Sequence, residues 1–268
     1  MKPSLLVIGC GNMGSAMVRG WCRDKWNSKY QFLLYDTVFP KAHQLAEALG
    51  LQSIRDLGDI QSEPHLILLA VKPHHFKSAG EEVAVFKNSI FMSVAAGISI
   101  KQLQSFLGKD KRIVRLMPNL GVEVGEGVIA MSFSPSFPEE DQEDLLFFLS
   151  SLGWVFEAGE NEFDCVTALS GSGPGFTAVF IEAMMDAGVK IGLPWEKSLK
   201  LVLQTLMGTV TLLKVKNLHP GLLKNMVCSP GGTTITGIHR LEKAGFRGAV
   251  MDGIEAACNR VKNTMHEE

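Results

Sequence analysis

The chain has almost no net charge: 26 lysines and arginines stand against 28 aspartates and glutamates, a formal balance of -2. A nucleic-acid binder needs a basic footprint, and an acidic-tail protein needs a block of carboxylates. Neither is present, so a small-molecule partner remains by default. Cysteine is scarce. Cys10, Cys22, Cys165, Cys228 and Cys258 are odd in number, include no CxxC, and have no histidine at zinc-ligand spacing. That pattern argues against a disulfide scaffold or a zinc module and for reduced, mostly buried thiols in the cytoplasm. Long hydrophobic runs are missing from the first half. The start, Lys2 followed by Leu5-Leu6-Val7-Ile8, superficially resembles a signal or lipoprotein leader, but its apolar run is too short and leads into a glycine turn. It reads as a strand. Leu66 to Val71 is far below a membrane span, and a soluble protein is expected. There is no internal repeat and no low-complexity linker.

What is present is a chain of 268 residues, 46% hydrophobic, enough for one large domain or two modest ones. In the first half, brief β-rich blocks alternate with helical patterns. Ser4–Ile8, Phe32–Tyr35, Leu66–Val71, Ile90–Val94 and Ile113–Met117 read as buried strands. Ser15–Cys22 and Lys41–Leu49 suit helices, and strands spaced by helices imply a parallel, doubly wound sheet. Gly127–Ser132 and Trp154–Glu157 read as extra strands around a helix over Glu139–Leu152.

After about Glu162 the texture turns helical. Phe176, Phe180, Ala183, Ala187 and Ile191 recur at helical spacing. Trp195–Lys216 reads as one long helix, apolar on more than one face through Leu199, Val202, Leu203, Leu206, Met207, Val210 and Leu213. Such a helix must be covered on several sides, and roughly a hundred residues would do that only with difficulty. A partner subunit is therefore expected to cover part of it. A last helix, Phe246–Met265, carries the stripe Val250, Ile254, Ala257 and Val261. The expected organisation is an α/β dinucleotide-binding domain over 1–162, of Rossmann type, and an all-helical domain over 163–268.

Gly9-Cys10-Gly11-Asn12-Met13-Gly14 is a GxGxxG turn that follows a strand and opens a helix, the context that gives the pattern meaning. Gly9 permits the tight turn, Gly11 lets backbone approach a pyrophosphate, and Gly14 lets helix pack close on strand. The diphosphate would rest on the free N–H groups of the helix beginning near Asn12. Asp36 ends the second strand, twenty-two residues beyond Gly14. An acidic residue there hydrogen-bonds the adenosine ribose and repels a 2′-phosphate, or else simply caps the next helix. Taken alone it leans toward NADH over NADPH. Ala70-Val71-Lys72-Pro73 and Ala95-Ala96-Gly97 leave the carboxyl ends of two further strands, where open α/β sheets bind ligands. Lys72 either reaches ribose or phosphate or is ordinary solvated surface.

Two further turns lie in the helical half. Leu169-Ser170-Gly171-Ser172-Gly173-Pro174-Gly175 interrupts the helical pattern with small residues, and Ser229-Pro230-Gly231-Gly232-Thr233-Thr234 precedes a helix. Neither supplies a histidine base, paired carboxylates or a metal cluster. They supply backbone N–H groups and hydroxyls, a receptor for a small anion such as a carboxylate. Either turn singly would also do as a plain connection between helices.

GCGNMG at 9–14, AVKP at 70–73, SVAAGIS at 93–99, RLMPN at 115–119, ALSGSGP at 168–174 and HPGLLKNMVCSPGGTTITG at 219–237 together resemble the Δ1-pyrroline-5-carboxylate reductases. The motifs run in family order across essentially the whole chain. The resemblance implies a Rossmann domain followed by a helical dimerisation domain whose helices interlock between subunits. It also implies reduction of a cyclic imine carboxylate by NADPH or NADH in a homodimer or a higher homo-oligomer. By this resemblance, Gly231, Gly232 and Thr233, with Ser229, hold the substrate carboxylate, and the Thr234 hydroxyl meets the ring nitrogen. Ala96 and Asn119 border the nicotinamide. Thr234 is then a positioner and proton relay, since an isolated threonine is too weak an acid to act as a simple general acid. One departure stands out: Asp36-Thr37-Val38-Phe39 follows the second strand where many relatives carry residues suited to a 2′-phosphate, so either cofactor remains open.

Three rivals are weaker. A β-hydroxyacid dehydrogenase needs a lysine base, and Lys224 falls inside the segment that already matches the reductases. A ketol-acid reductoisomerase needs inward carboxylates; Glu182 and Asp186 have the spacing, but a solvated helix face explains them at least as well. A non-catalytic nucleotide sensor has no need of SGSGP and SPGGTT.

Overall fold

A computed structural model describes residues 2–264. The chain falls into two compact units. One runs up to Pro174 and includes the end of the last helix from Ala257; the other is Gly175–Ala256.

The first unit is built on eight strands among the described residues: β1 (Ser4–Ile8), β2 (Gln31–Tyr35), β3 (Gln52–Ser53), β4 (Leu66–Leu69), β5 (Ile90–Ser93), β6 (Arg112–Pro118), β7 (Gly127–Phe133) and β8 (Gly153–Glu157). Their order across the sheet is β3-β2-β1-β4-β5-β6-β7-β8. The chain winds outward from β1 to β3, then returns to the other side of β1 as β4. That reversal opens a crevice at the carboxyl ends of β1 and β4, where Ile8 pairs with Leu69.

Helices cover both faces, so β1 is buried throughout and reads as an unbroken apolar run. Its side chains still alternate. Leu5 and Val7 point into a cluster with Met17 and Trp21 of α1 (Asn12–Arg23) and Phe148 of α5 (Glu139–Ser150). Leu6 and Ile8 point into the opposite layer with Phe76 and Val83 of α3 (Pro73–Val83) and Leu103 and Leu107 of α4 (Ile100–Leu107). Trp21 stacks on Phe148 with ring centroids 4.6 Å apart. The helix expected over Lys41–Leu49 is α2 (Phe39–Leu49).

The sheet departs from an all-parallel one in one place: β6 and β7 are antiparallel, with Leu116 opposite Met131. Only the short 3-10 turn Leu120–Val124 joins them, and a parallel partner would need a full crossover. The other neighbours are parallel.

After β8, α6 (Phe163–Val166) leads into a π-helical turn, Thr167–Gly171, and then α7 (Gly173–Lys190). The Leu169–Gly175 run interrupts the regular helix as its composition suggests: a π-helical turn and a bend at Ser172 separate α6 from α7. The Ser172 N–H reaches back five residues to the Thr167 carbonyl at 2.9 Å, which widens that turn. Phe163 is buried with Met117 of β6 and Ala130 of β7, which keeps α6 with the sheet although the helical texture begins here.

The second unit carries most of α7, then α8 (Trp195–Lys216), α9 (Pro220–Met226), α10 (Thr233–Lys243) and the start of α11 (Phe246–Thr264). Met265, expected to end the last helix, lies outside the described residues. In α8 only Ser198 and Val202 are buried, while Met207 and Val210 are 63% and 61% exposed. The helix is also long and apolar enough to cross a membrane by length and composition.

Candidate active site

The glycine turn sits at the crevice between β1 and β4. Gly9 has φ +97, a conformation side chains rarely adopt, and a Cβ there would lie 2.6 Å from the Ala70 carbonyl oxygen. At Gly14 a Cβ would fall 2.0 Å from the Gly9 carbonyl oxygen, so only hydrogen lets α1 start this close to the strand. Gly11 differs: nothing lies within 4 Å of where its Cβ would be. Gly9 and Gly14 are closed by packing, and Gly11 faces open space at the start of α1. That is the shape a bound diphosphate requires, with backbone N–H groups and a positive helix end facing a free volume. The residues fit a dinucleotide.

Gly11 is the N-cap of α1 and Asn12 its first residue. The Met13 side chain packs against the core. The Cys10 thiol is pushed up to about 12, first by burial and then by the Asp36 carboxylate, so it stays neutral and is no nucleophile. Asp36 follows β2. One of its oxygens accepts from the Cys10 N–H and the other from the Val38 N–H, each at 2.8 Å. The carboxylate thus holds the local backbone and also lines a cleft with Gly9, Gly11, Val38, Lys41 and Lys72. Lys41 also borders a second cleft, together with Asn12, Leu120 and Glu123.

Beyond β4, the Ala70 N–H donates to the Ile8 carbonyl at 2.8 Å, Val71 packs on the core layer of α3, and Lys72 and Pro73 are the N-cap and first residue of that helix. A proline at the first helical position costs no hydrogen bond. Ala96 lies exposed in the turn that follows β5. Asn119 follows β6 and caps the Leu120–Val124 turn. All the expected dinucleotide positions therefore lie in the first unit, at the carboxyl ends of β1, β2, β4, β5 and β6.

The second unit presents the other turn by itself. Gly232 is the N-cap of α10, Thr233 and Thr234 are its first two residues, and the Gly232 N–H donates to the Ser229 carbonyl at 3.0 Å. Ser229, Gly231, Thr233 and Thr234 are exposed. The turn thus ends in free N–H groups at a helix start with two hydroxyls alongside.

Sequence reading missed three features of the first unit. The turn residues Leu120 and Glu123 line the second cleft. Arg115 of β6, 2% exposed, pairs with Glu160 at 2.8 Å and lies over the Phe163 ring. Ser170 meets Asn119. The last two join residues 45 and 51 positions apart, and no local pattern announces such a pairing; a charged residue inside an apolar strand was the available hint for Arg115.

Comparison with known proteins adds a whole-chain likeness. Residues 160–264 match the family described as pyrroline-5-carboxylate reductase dimerisation, and residues 4–97 match NADP oxidoreductase, coenzyme F420-dependent. A pyrroline-5-carboxylate reductase of Aquifex aeolicus is 38% identical over 96% of this chain and 95% of its own length. One of Arabidopsis thaliana is 41% identical over 94% of this chain and 92% of its own. Among solved structures, the pyrroline carboxylate reductase of Plasmodium falciparum with NADP bound superposes with a TM-score of 0.87 at 30% identity, covering 98% of both chains. The 1-pyrroline-5-carboxylate reductase of Streptococcus pyogenes does so at 0.88 and 31%, over 97% of this chain and 98% of that one.

Proposed function

The chain belongs to the pyrroline-5-carboxylate reductases, an NAD(P)-dependent oxidoreductase family, and we propose that it reduces 1-pyrroline-5-carboxylate to L-proline, the last step of proline synthesis. The observation that carries the reading is the pairing within one chain of a glycine turn shaped for a diphosphate with a helix-start turn built for a small anion.

Reduced nicotinamide, NADH or NADPH, supplies a hydride when bound. The chain's own task is to hold and align. The N–H groups of the 9–14 turn and of α1 would take the diphosphate, and Asp36 would accept from the adenosine ribose hydroxyls. Ala70, Val71, Lys72 and Pro73 would flank the dinucleotide, with Ala96 and Asn119 at its nicotinamide end. The N–H groups of Gly231, Gly232 and Thr233, with the Ser229 hydroxyl, would hold the substrate carboxylate. The imine nitrogen enters protonated, which makes its ring carbon electrophilic without metal or covalent catalysis. Its N–H would donate to the Thr234 hydroxyl, which orients the ring and holds the proton on the nitrogen while hydride reaches the ring carbon.

The active form is proposed to be a homodimer or a higher homo-oligomer. The apolar surface of α8 needs a cover, and it lies inside the segment matched to the dimerisation family. A second copy of the chain, and not a membrane, is the cover proposed, with the enzyme at work in the cytoplasm. Racemic pyrroline-5-carboxylate should drive oxidation of NADH or NADPH, followed at the nicotinamide absorbance. Absence of turnover by folded protein overturns the reading.

A further inference from the structure

The Asn119 side chain has only one way to face. Its Oδ1 accepts from the backbone N–H groups of Gly121 at 3.1 Å and Val128 at 3.2 Å, which turns its Nδ2 toward Ser170 Oγ, 3.2 Å away. An amide nitrogen is a donor only, so the Ser170 oxygen accepts that bond and its own proton points elsewhere. Among the described residues of its unit, no acceptor takes it. Thr167, in the same π-helical turn, spends its hydroxyl on the Phe163 carbonyl at 2.6 Å, the usual local outlet for a helical hydroxyl. Ser170 is kept off that outlet.

Its position gives the free proton a destination. The π turn seats Gly171 near the Met117 sulfur at the carboxyl end of β6. Leu120, next to Asn119, lines the cleft beside Gly11 and Asn12. We propose that Ser170 is a ligand-positioning residue: its hydroxyl, aimed by Asn119, donates to an sp2 oxygen at this end of the sheet. The oxygen is that of the nicotinamide carboxamide, since the expected dinucleotide positions lie in the same unit as Ser170. The proposal rests on the reductase reading above and adds a polarity to it. Asn119 makes Ser170 a donor, so it selects for an oxygen-bearing group and against an N–H.

Ser170→Ala removes the donor. Asn119→Asp keeps an acceptor for Gly121 and Val128 but replaces the Nδ2 donor with an acceptor, so the Ser170 proton is drawn inward. Three affinities are measured on the full chain: NADH by fluorescence, ADP-ribose (which lacks the carboxamide) by calorimetry, and L-proline added to the NAD-bound enzyme. If the carboxamide is the target, both variants lose about tenfold for NADH and keep wild-type affinity for ADP-ribose. A loss confined to L-proline, with both dinucleotide affinities unchanged, overturns the proposal. Ser170→Thr, which keeps a hydroxyl, restores the NADH affinity. The proposal is overturned if Ser170→Ala matches wild type in all three measurements, if Asn119→Asp does, or if ADP-ribose binding falls as far as the others. Wild-type enzyme that binds NADH but never turns over pyrroline-5-carboxylate would sink the reductase reading separately, because the dinucleotide arms do not depend on that substrate.

Discussion

The backbone N–H of Cys10 donates to the Asp36 carboxylate across 2.8 Å, so the glycine turn and the end of β2 are held as one piece. The same carboxylate accepts from Val38 at 2.8 Å and lines the cleft proposed for the dinucleotide. It holds two backbone N–H groups, and the ribose contact and the repulsion of a 2′-phosphate are the further roles proposed for it.

Asp36→Ala removes both the ribose acceptor and the repulsion. The ratio of kcat/KM for NADH to that for NADPH should fall by about tenfold, equivalent to ~1.4 kcal/mol. Thermal stability should drop as well, since two backbone donors lose their acceptor. A lower Tm with an unchanged cofactor ratio would leave Asp36 a structural role alone.

Gly14→Ala forces a methyl group to within 2.0 Å of the Gly9 carbonyl oxygen, a backbone atom with little freedom to move. Overpacking of this kind costs about 1–3 kcal/mol, and here relief of the clash must open the turn. The variant should melt lower and bind NADH weakly in a fluorescence titration. Wild-type NADH affinity would mean the tight turn is dispensable for the diphosphate.

Thr234→Ala takes away the hydroxyl proposed to meet the substrate nitrogen. Turnover should fall about tenfold or more, within the range expected of a proton-handling group, while NADH affinity stays at the wild-type value because the hydroxyl is proposed to address the substrate and not the dinucleotide. Steady-state kinetics beside a binding titration separates the two effects. An unchanged kcat removes the assigned role.

Glu160→Ala leaves the Arg115 guanidinium buried without its counter-charge and takes the acceptor from the Ile100 N–H, which Glu160 holds at 2.9 Å. A fully buried pair broken on one side costs about 3–5 kcal/mol. Glu160 is partly exposed, so about 2 kcal/mol is expected once solvent screening is counted. A urea melt reads this as a lower midpoint with the slope unchanged, and an unmoved midpoint contradicts it.

Met207→Asp places a charge on the exposed apolar surface of α8. If a second subunit covers that surface, burying an unpaired carboxylate there should dissociate the assembly. Sedimentation velocity should show wild-type dimers or larger species and a variant shifted to monomer. Identical sedimentation of the two would remove α8 from the interface.

Most of what was legible in the sequence was local. Ser4–Ile8 as a strand, the helix starting at Asn12, and Trp195–Lys216 as one long helix all follow from patterns that repeat within a few residues. The glycine turn belongs with them, because which glycines must close and which must stay open depends on a strand and a helix adjacent in the chain. α3 and α4 also carry local signals, a first-turn proline and a Ser99–Gln102 capping box, whereas β3, two residues long, carries none.

What only the tertiary structure decided joins distant positions. The antiparallel β7 follows from the shortness of one connection together with the pairing of Leu116 and Met131. The small residues at 169–175 break the regular helix as read, but the form of the break, a π turn with Gly171 near Met117 followed by a bend at Ser172, is set by the fold. The direction of the Asn119–Ser170 hydrogen bond depends on two backbone N–H groups, one of them across a strand pair. Residue type and spacing are sufficient to mark where a helix starts or a strand runs. The facing of a hydroxyl or the partner of a buried charge is set by competition among donors and acceptors that the fold alone brings within hydrogen-bonding distance.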